Sequence, residues 1–151
     1  MDASSAVEIL LVEDNAGDIR LTMEAFKDTE LPNHVSVARD GEEALAFLRR
    51  EGPYGGAPRP DLILLDLNMP KKDGREVLRD VKADPELKMI PIIVLTTSAA
   101  PTDIVNSYDL HANCYIQKPA GYDDFIDLIR TLESLWFGVV ELPSVTKEAT
   151  A

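Results

Sequence analysis

The stretch DLILLDLNMP, residues 61–70, sets an aspartate, Asp66, at the end of an apolar, strand-forming run and follows it with Asn68 and Pro70. Leucine and isoleucine fill almost every preceding position, so a strand here is apolar on both faces and needs cover on both. Helices packed on the two sides of a parallel sheet supply that cover. In such sheets ligands bind outside the carboxyl ends of the strands, which is where Asp66 would lie.

Outward from this stretch the same alternation recurs. VEILLVE (7–13) reads as a buried strand that ends in Glu13-Asp14-Asn15, good helix-capping chemistry. Residues 18–27 carry Ile19, Met23 and Phe26 at helical spacing, and HVSVARD (34–40) alternates as a strand. Residues 41–50 read as a helix with Ala44, Leu45 and Leu48 on one face, and EGPYGGAPRP (51–60) as a loop. After the central strand, residues 74–83 form a helix with Val77, Leu78 and Val81 inward, limited by Pro85. PIIVLTT (91–97) is the fourth strand, 102–110 a short helix, ANCYIQK (112–118) the fifth strand, and a last helix begins near Asp123. Right-handed crossovers leave few topologies for this alternation. The spacing predicts an α/β fold with a doubly wound, five-stranded parallel sheet in the order 2-1-3-4-5.

The bulk properties narrow the function classes. A chain of 151 residues, 45% hydrophobic, buries one core without staples. Its single cysteine, Cys114, permits no disulfide within the chain and no thiolate zinc site; it reads as a small apolar side chain. A net charge of −12 repels phosphate backbones and argues against nucleic-acid binding. No apolar run approaches a membrane span, and MDASSAVEIL lacks the basic flank of a signal peptide, so a cytoplasmic location is expected. His34 and His111 have no partners at ligand spacing.

If the strands are parallel, one edge of the sheet collects Glu13 and Asp14, then Asp66 and Asn68, then Thr96 and Thr97, then Lys118 and Pro119. Each has an ordinary reading by itself: Asp14 and Asn15 as caps, Asp66 as a turn residue, Lys118 as a surface charge. The joint occurrence favours a site, because capping does not require a lysine after the fifth strand. Neighbouring carboxylates repel unless a cation sits among them, and oxygen ligands of this kind suit Mg²⁺. A lysine and a hydroxyl beside them would counter the charge on a phosphoryl group passing to Asp66.

LLVEDN (10–15), DLILLDLNMPKKDG (61–74), IIVLTT (92–97) and YIQKP (115–119), in this order, resemble the receiver domain of two-component response regulators. The resemblance covers residues 7–135 and implies the flavodoxin-like receiver fold. It implies Asp66 as phosphoacceptor and a metal set of Glu13, Asp14, Asp66 and the main-chain carbonyl of Asn68. Thr96 would be the switch hydroxyl, Tyr115 the switch aromatic and Lys118 the phosphate-contacting lysine. Pro119 would follow Lys118, in this family often on a cis bond. Glu13 stands where Asp is common. The side chains of Asn68 and Ser98 occupy places that tune dephosphorylation. VEDNAGDIRL, SYDLHANCYIQKP, ESLWFGVVELP and the loop GPYGGAPRP are similar to the stand-alone regulators that partner phytochrome-type histidine kinases.

The expected function is therefore a non-enzymatic phosphorelay switch that acts by protein–protein interaction, with no second domain following. An aspartate-nucleophile phosphatase is the alternative, but it wants an acid two positions after the nucleophile, where Asn68 stands. A nucleotide or flavin module needs a Gly-rich phosphate loop where EDNAGD stands. Residues 1–6 read as an arm and 136–151 as an extension. Phe125, Leu128, Ile129 and Leu132 keep core spacing, but LWFGVVEL (135–142) stays apolar past the end of the domain, which predicts homodimer contacts. SVTKEATA (144–151) reads as a frayed end.

Overall fold

Successive residues of each central strand face opposite layers of the molecule, and both layers are apolar. The computed structural model describes residues 6–28, 32–69, 71–97, 104, 108, 112–119 and 121–138 (for 133 and 135–138, the backbone alone). Strands β1 (Val7–Val12), β2 (Asn33–Ala38), β3 (Leu62–Leu65), β4 (Ile92–Thr96) and β5 (Cys114–Gln117) form one parallel sheet in the order β2-β1-β3-β4-β5. The doubly wound arrangement expected from the sequence is the one observed.

Leu10, Val12, Ile63, Leu65, Ile92 and Val94 point to one face. There they meet α2 (Gly41–Leu48) through Ala44, Leu45 and Leu48, and α3 (Gly74–Ala83) through Val77, Leu78 and Val81. Ile9, Leu11, Leu62, Leu64, Ile93 and Leu95 point to the other face. They meet Ile19 and Phe26 of α1 (Ala16–Lys27) and Phe125, Ile129 and Leu132 of α4 (Tyr122–Gly138). The strand period of two, with both sets apolar, is what makes a three-layer packing the stable solution. Cys114 is half-buried against the second layer, less enclosed than its composition suggests, and burial pushes its thiol up.

Helix starts follow local capping chemistry. Asn15, Asp40 and Asp73 each accept a hydrogen bond from the backbone N–H three residues on, at 2.9, 2.8 and 3.1 Å. The helix α1 therefore begins at Ala16, two residues earlier than apolar spacing suggests. The loop at 51–60 contains a short 3₁₀ turn, Gly52–Tyr54. Its Tyr54 packs at a tilt against Phe47 and donates to Glu43 at 2.7 Å. Of the helix expected over 102–110 only Ile104 and Tyr108 are described, both helical. Ser98, His111, the arm at 1–5, the side chains of Leu135 and Trp136, and the chain from 139 onward lie outside the described residues.

Candidate functional site

The parallel register continues one residue past each strand, and this brings the site together. The backbone N–H of Glu13 donates to Ala38, that of Asp66 to Val12 and that of Lys118 to Thr96, at 2.9, 3.0 and 2.7 Å. Residues separated by a hundred positions thus leave the sheet side by side at its carboxyl edge. One oxygen from each of Glu13, Asp14 and Asp66 lies within 4.8 Å of the others. Glu13 and Asp66 are buried, and Asp14 is exposed at the mouth.

Lys118 closes the site from β5. Its buried ammonium donates to Glu13 and, at 2.9 Å, to Asp18, and stands 3.8 Å from Asp66. Burial opposes its charge, but the hydrogen bonds to Glu13 and Asp18, with the charges of Glu13 and Asp66, outweigh that and hold its pKa above the usual lysine range. Burial lifts the Glu13 carboxyl to about 7; the hydrogen bond and charge of Lys118 only partly offset it, and the charge of Asp66 adds to the rise. Even so, acidic groups outnumber the ammonium that faces them. The arrangement fits a divalent cation on the chemistry of its donors: hard carboxylate oxygens, two sets buried and one exposed.

Thr96 is fully buried at the end of β4, and the Asn68 amide nitrogen lies 3.5 Å from its hydroxyl. Asn68 itself is exposed, with its backbone N–H 3.4 Å from an Asp66 carboxylate oxygen. Tyr115 pairs with Val94 on the neighbouring strand, two positions before Thr96, and is half-buried against the first layer. Its backbone N–H donates to the Tyr108 hydroxyl at 3.2 Å. Thr97 is exposed. The Lys118–Pro119 bond is trans, unlike the cis bond frequent in the family. His34 is mostly exposed and bonds Glu8 at 3.1 Å at the opposite end of the strands. All the site residues named from the sequence therefore gather at one edge, with Tyr115 set back along β5.

Asp18 is the residue that sequence reasoning passed over. It sits in the first turn of α1, three positions after the cap Asn15, where an acidic residue reads as ordinary helix-start chemistry, so nothing in the sequence signals that it faces Lys118.

A family model described as the response regulator receiver domain matches residues 9–130. The chain belongs to that family, and it is a response regulator of a two-component phosphorelay; a phosphatase is not favoured. Response regulator Rcp1 of Synechocystis sp. is 48% identical over 136 residues, covering 90% of this chain and 92% of Rcp1. The crystal structure of the phosphorylated cyanobacterial phytochrome response regulator RcpA is similar with a TM-score of 0.89 and 53% identity, covering 91% of this chain and 99% of that one. The Mn²⁺-bound form of Rcp1 gives 0.88 and 48%, with the same coverage. Receiver domains bind a divalent metal, and the acidic trio described above is suited to one. Among the described residues no helix is long and apolar enough to cross a membrane.

Proposed function

We propose that Asp66 accepts a phosphoryl group from the phosphohistidine of a histidine kinase, with Mg²⁺ held by Glu13, Asp14, Asp66 and the main-chain carbonyl of Asn68. The observation that carries this reading is the convergence of the three carboxylates within 4.8 Å, beside Lys118. When bound, Mg²⁺ would neutralise the carboxylates and draw charge from the phosphoryl oxygens. An Asp66 oxygen attacks phosphorus in line; the P–N bond to the imidazole breaks, its electron pair stays on the ring nitrogen, and a P–O bond to Asp66 forms. Lys118 counters the charge on the transferred group, and the Thr96 hydroxyl donates to one of its oxygens. Tyr115 turns inward as Thr96 is drawn over, biasing the surface around β5 between two states.

The kinase is of the phytochrome type, a reading supported by the likeness to RcpA. Output is by binding or releasing a protein partner in the cytoplasm, with no catalysis beyond the protein's own phosphorylation and slow hydrolysis. The apolar run at 135–142 joins two copies as a homodimer. Sedimentation is expected to give two chains per particle for the full protein and one for a chain stopped after residue 134; the same number of chains in both rejects the dimer contact.

Incubation with Mg²⁺ and acetyl phosphate is expected to give an acid-stable, base-labile adduct on the wild type and none on Asp66→Asn. An adduct that survives Asp66→Asn rejects the site. Turnover of many phosphoesters per protein would favour the phosphatase instead.

A further inference from the structure

At the third position of α1, an acidic side chain usually serves the helix itself. It reaches back to the N-cap backbone N–H or offsets the positive end of the dipole. Here the first of these jobs is taken. The Asn15 backbone N–H donates to Glu13 at 3.2 Å, and the Asn15 side chain accepts from the Asp18 N–H at 2.9 Å. The Asp18 carboxylate is directed instead at Lys118, 2.9 Å away and a hundred residues on. Its backbone is held from below as well, because the buried Thr22 hydroxyl donates to the Asp18 carbonyl at 2.7 Å.

The geometry around the ammonium is lopsided. Lys118 bonds Glu13 and Asp18 but stands 3.8 Å from Asp66, beyond hydrogen-bond reach. Two of the three ammonium protons are taken by these carboxylates, and together they fix the ammonium on the side away from Asp66. The Asp18 carboxylate is partly exposed, so releasing it to water costs less than releasing the buried Glu13.

We propose that Asp18 is a positioning residue: it holds the Lys118 ammonium back from Asp66 and so sets how strongly the site grips a phosphoryl group. The inference rests on the phosphoacceptor role of Asp66. A phosphoryl group arriving there competes with Asp18 for the Lys118 ammonium, and that competition weakens the grip. Loss of the carboxylate leaves the ammonium free to turn.

The test titrates the full chain, with Mg²⁺ present, against beryllofluoride, an anion that mimics a phosphoryl group on a carboxylate. Asp18→Asn is expected to bind it roughly fivefold more tightly than wild type, the size of one partly exposed charge-assisted contact. Asp18→Glu, which keeps the charge, is expected to return toward wild type. In a Lys118→Gln background, Asp18→Asn is expected to have no effect, because the residue it acts through is gone. An equal gain in that background shows a bare field effect and overturns the proposal, as does unchanged affinity in the wild-type background. A second readout is independent of the Gln variant. The Lys118 ammonium signal, followed by NMR in the Mg²⁺-loaded protein without beryllofluoride, is expected to shift and exchange faster in Asp18→Asn; an unmoved signal also overturns it. Wild-type protein that takes neither beryllofluoride nor a phosphoryl group on Asp66 sinks the parent reading itself, a failure distinct from an inert Asp18.

Discussion

Replacing Gly74 by alanine tests how tightly the phosphoacceptor strand is braced. Gly74 is the first residue of α3, after the Asp73 cap, and its N–H donates to Leu67 at 3.0 Å. A Cβ there would stand 2.2 Å from the Asp66 carbonyl oxygen and 2.7 Å from the Leu67 Cα. Relief to ordinary contact needs a movement of about 1 Å in a close-packed interior. The atoms in the way are backbone, so no side chain can rotate aside. Helix propensity pulls in the other direction, since alanine is favoured over glycine by up to about 1 kcal/mol. Overpacking of this kind costs roughly 1–3 kcal/mol and sometimes more, so the clash wins and a net loss of about 2 kcal/mol is expected. Gly56→Ala is the control: nothing lies within 4 Å of its Cβ position, and a change within about 0.5 kcal/mol is expected. Urea unfolding midpoints measure both, and acetyl phosphate labelling of Gly74→Ala should fall as Asp66 is displaced. A Gly74→Ala protein as stable as wild type would refute the reasoning, because it would mean the turn yields at little cost.

Two further outcomes follow from buried charge. With the Glu13 carboxyl at about 7, a divalent cation must displace a proton at acid pH, so apparent Mg²⁺ affinity should rise about tenfold from pH 6 to pH 8. Glu13→Gln should flatten that slope, and a wild-type profile already flat in calorimetry would contradict it. The sign for stability is opposite. A pKa raised on folding stabilises the metal-free protein below about 4.5, and roughly 3 kcal/mol is lost as pH climbs through 7. Lys82, half-buried in the last turn of α3, donates to the carbonyls of Lys88 and Ile90 at 3.0 and 2.8 Å, and burial lowers its pKa. Lys82→Met should cost about 1–2 kcal/mol in urea unfolding by stranding those carbonyls.

The strands were legible in the sequence because their signals are local, and their order followed from the crossover rule applied to the alternation. Leu62 to Leu65 are apolar at every position, so a two-sided strand follows from adjacent residues alone. The acidic and basic residues at 13, 14, 66 and 118 then fall at strand ends by counting, and a parallel sheet places strand ends together. Tertiary structure decided what those residues do to one another. That Glu13 takes both the Lys118 ammonium and the Asn15 N–H, leaving Asp18 to hold Lys118 from the side, depends on distances across a hundred residues of chain. So do the close approach of Gly74 to the Asp66 backbone and the half-burial of Cys114. Periodicity is set by each residue's own backbone geometry and is written along the chain. Contacts between the ends of β1 and β5 reach across two intervening strands, and no stretch of sequence encodes a packing distance by itself.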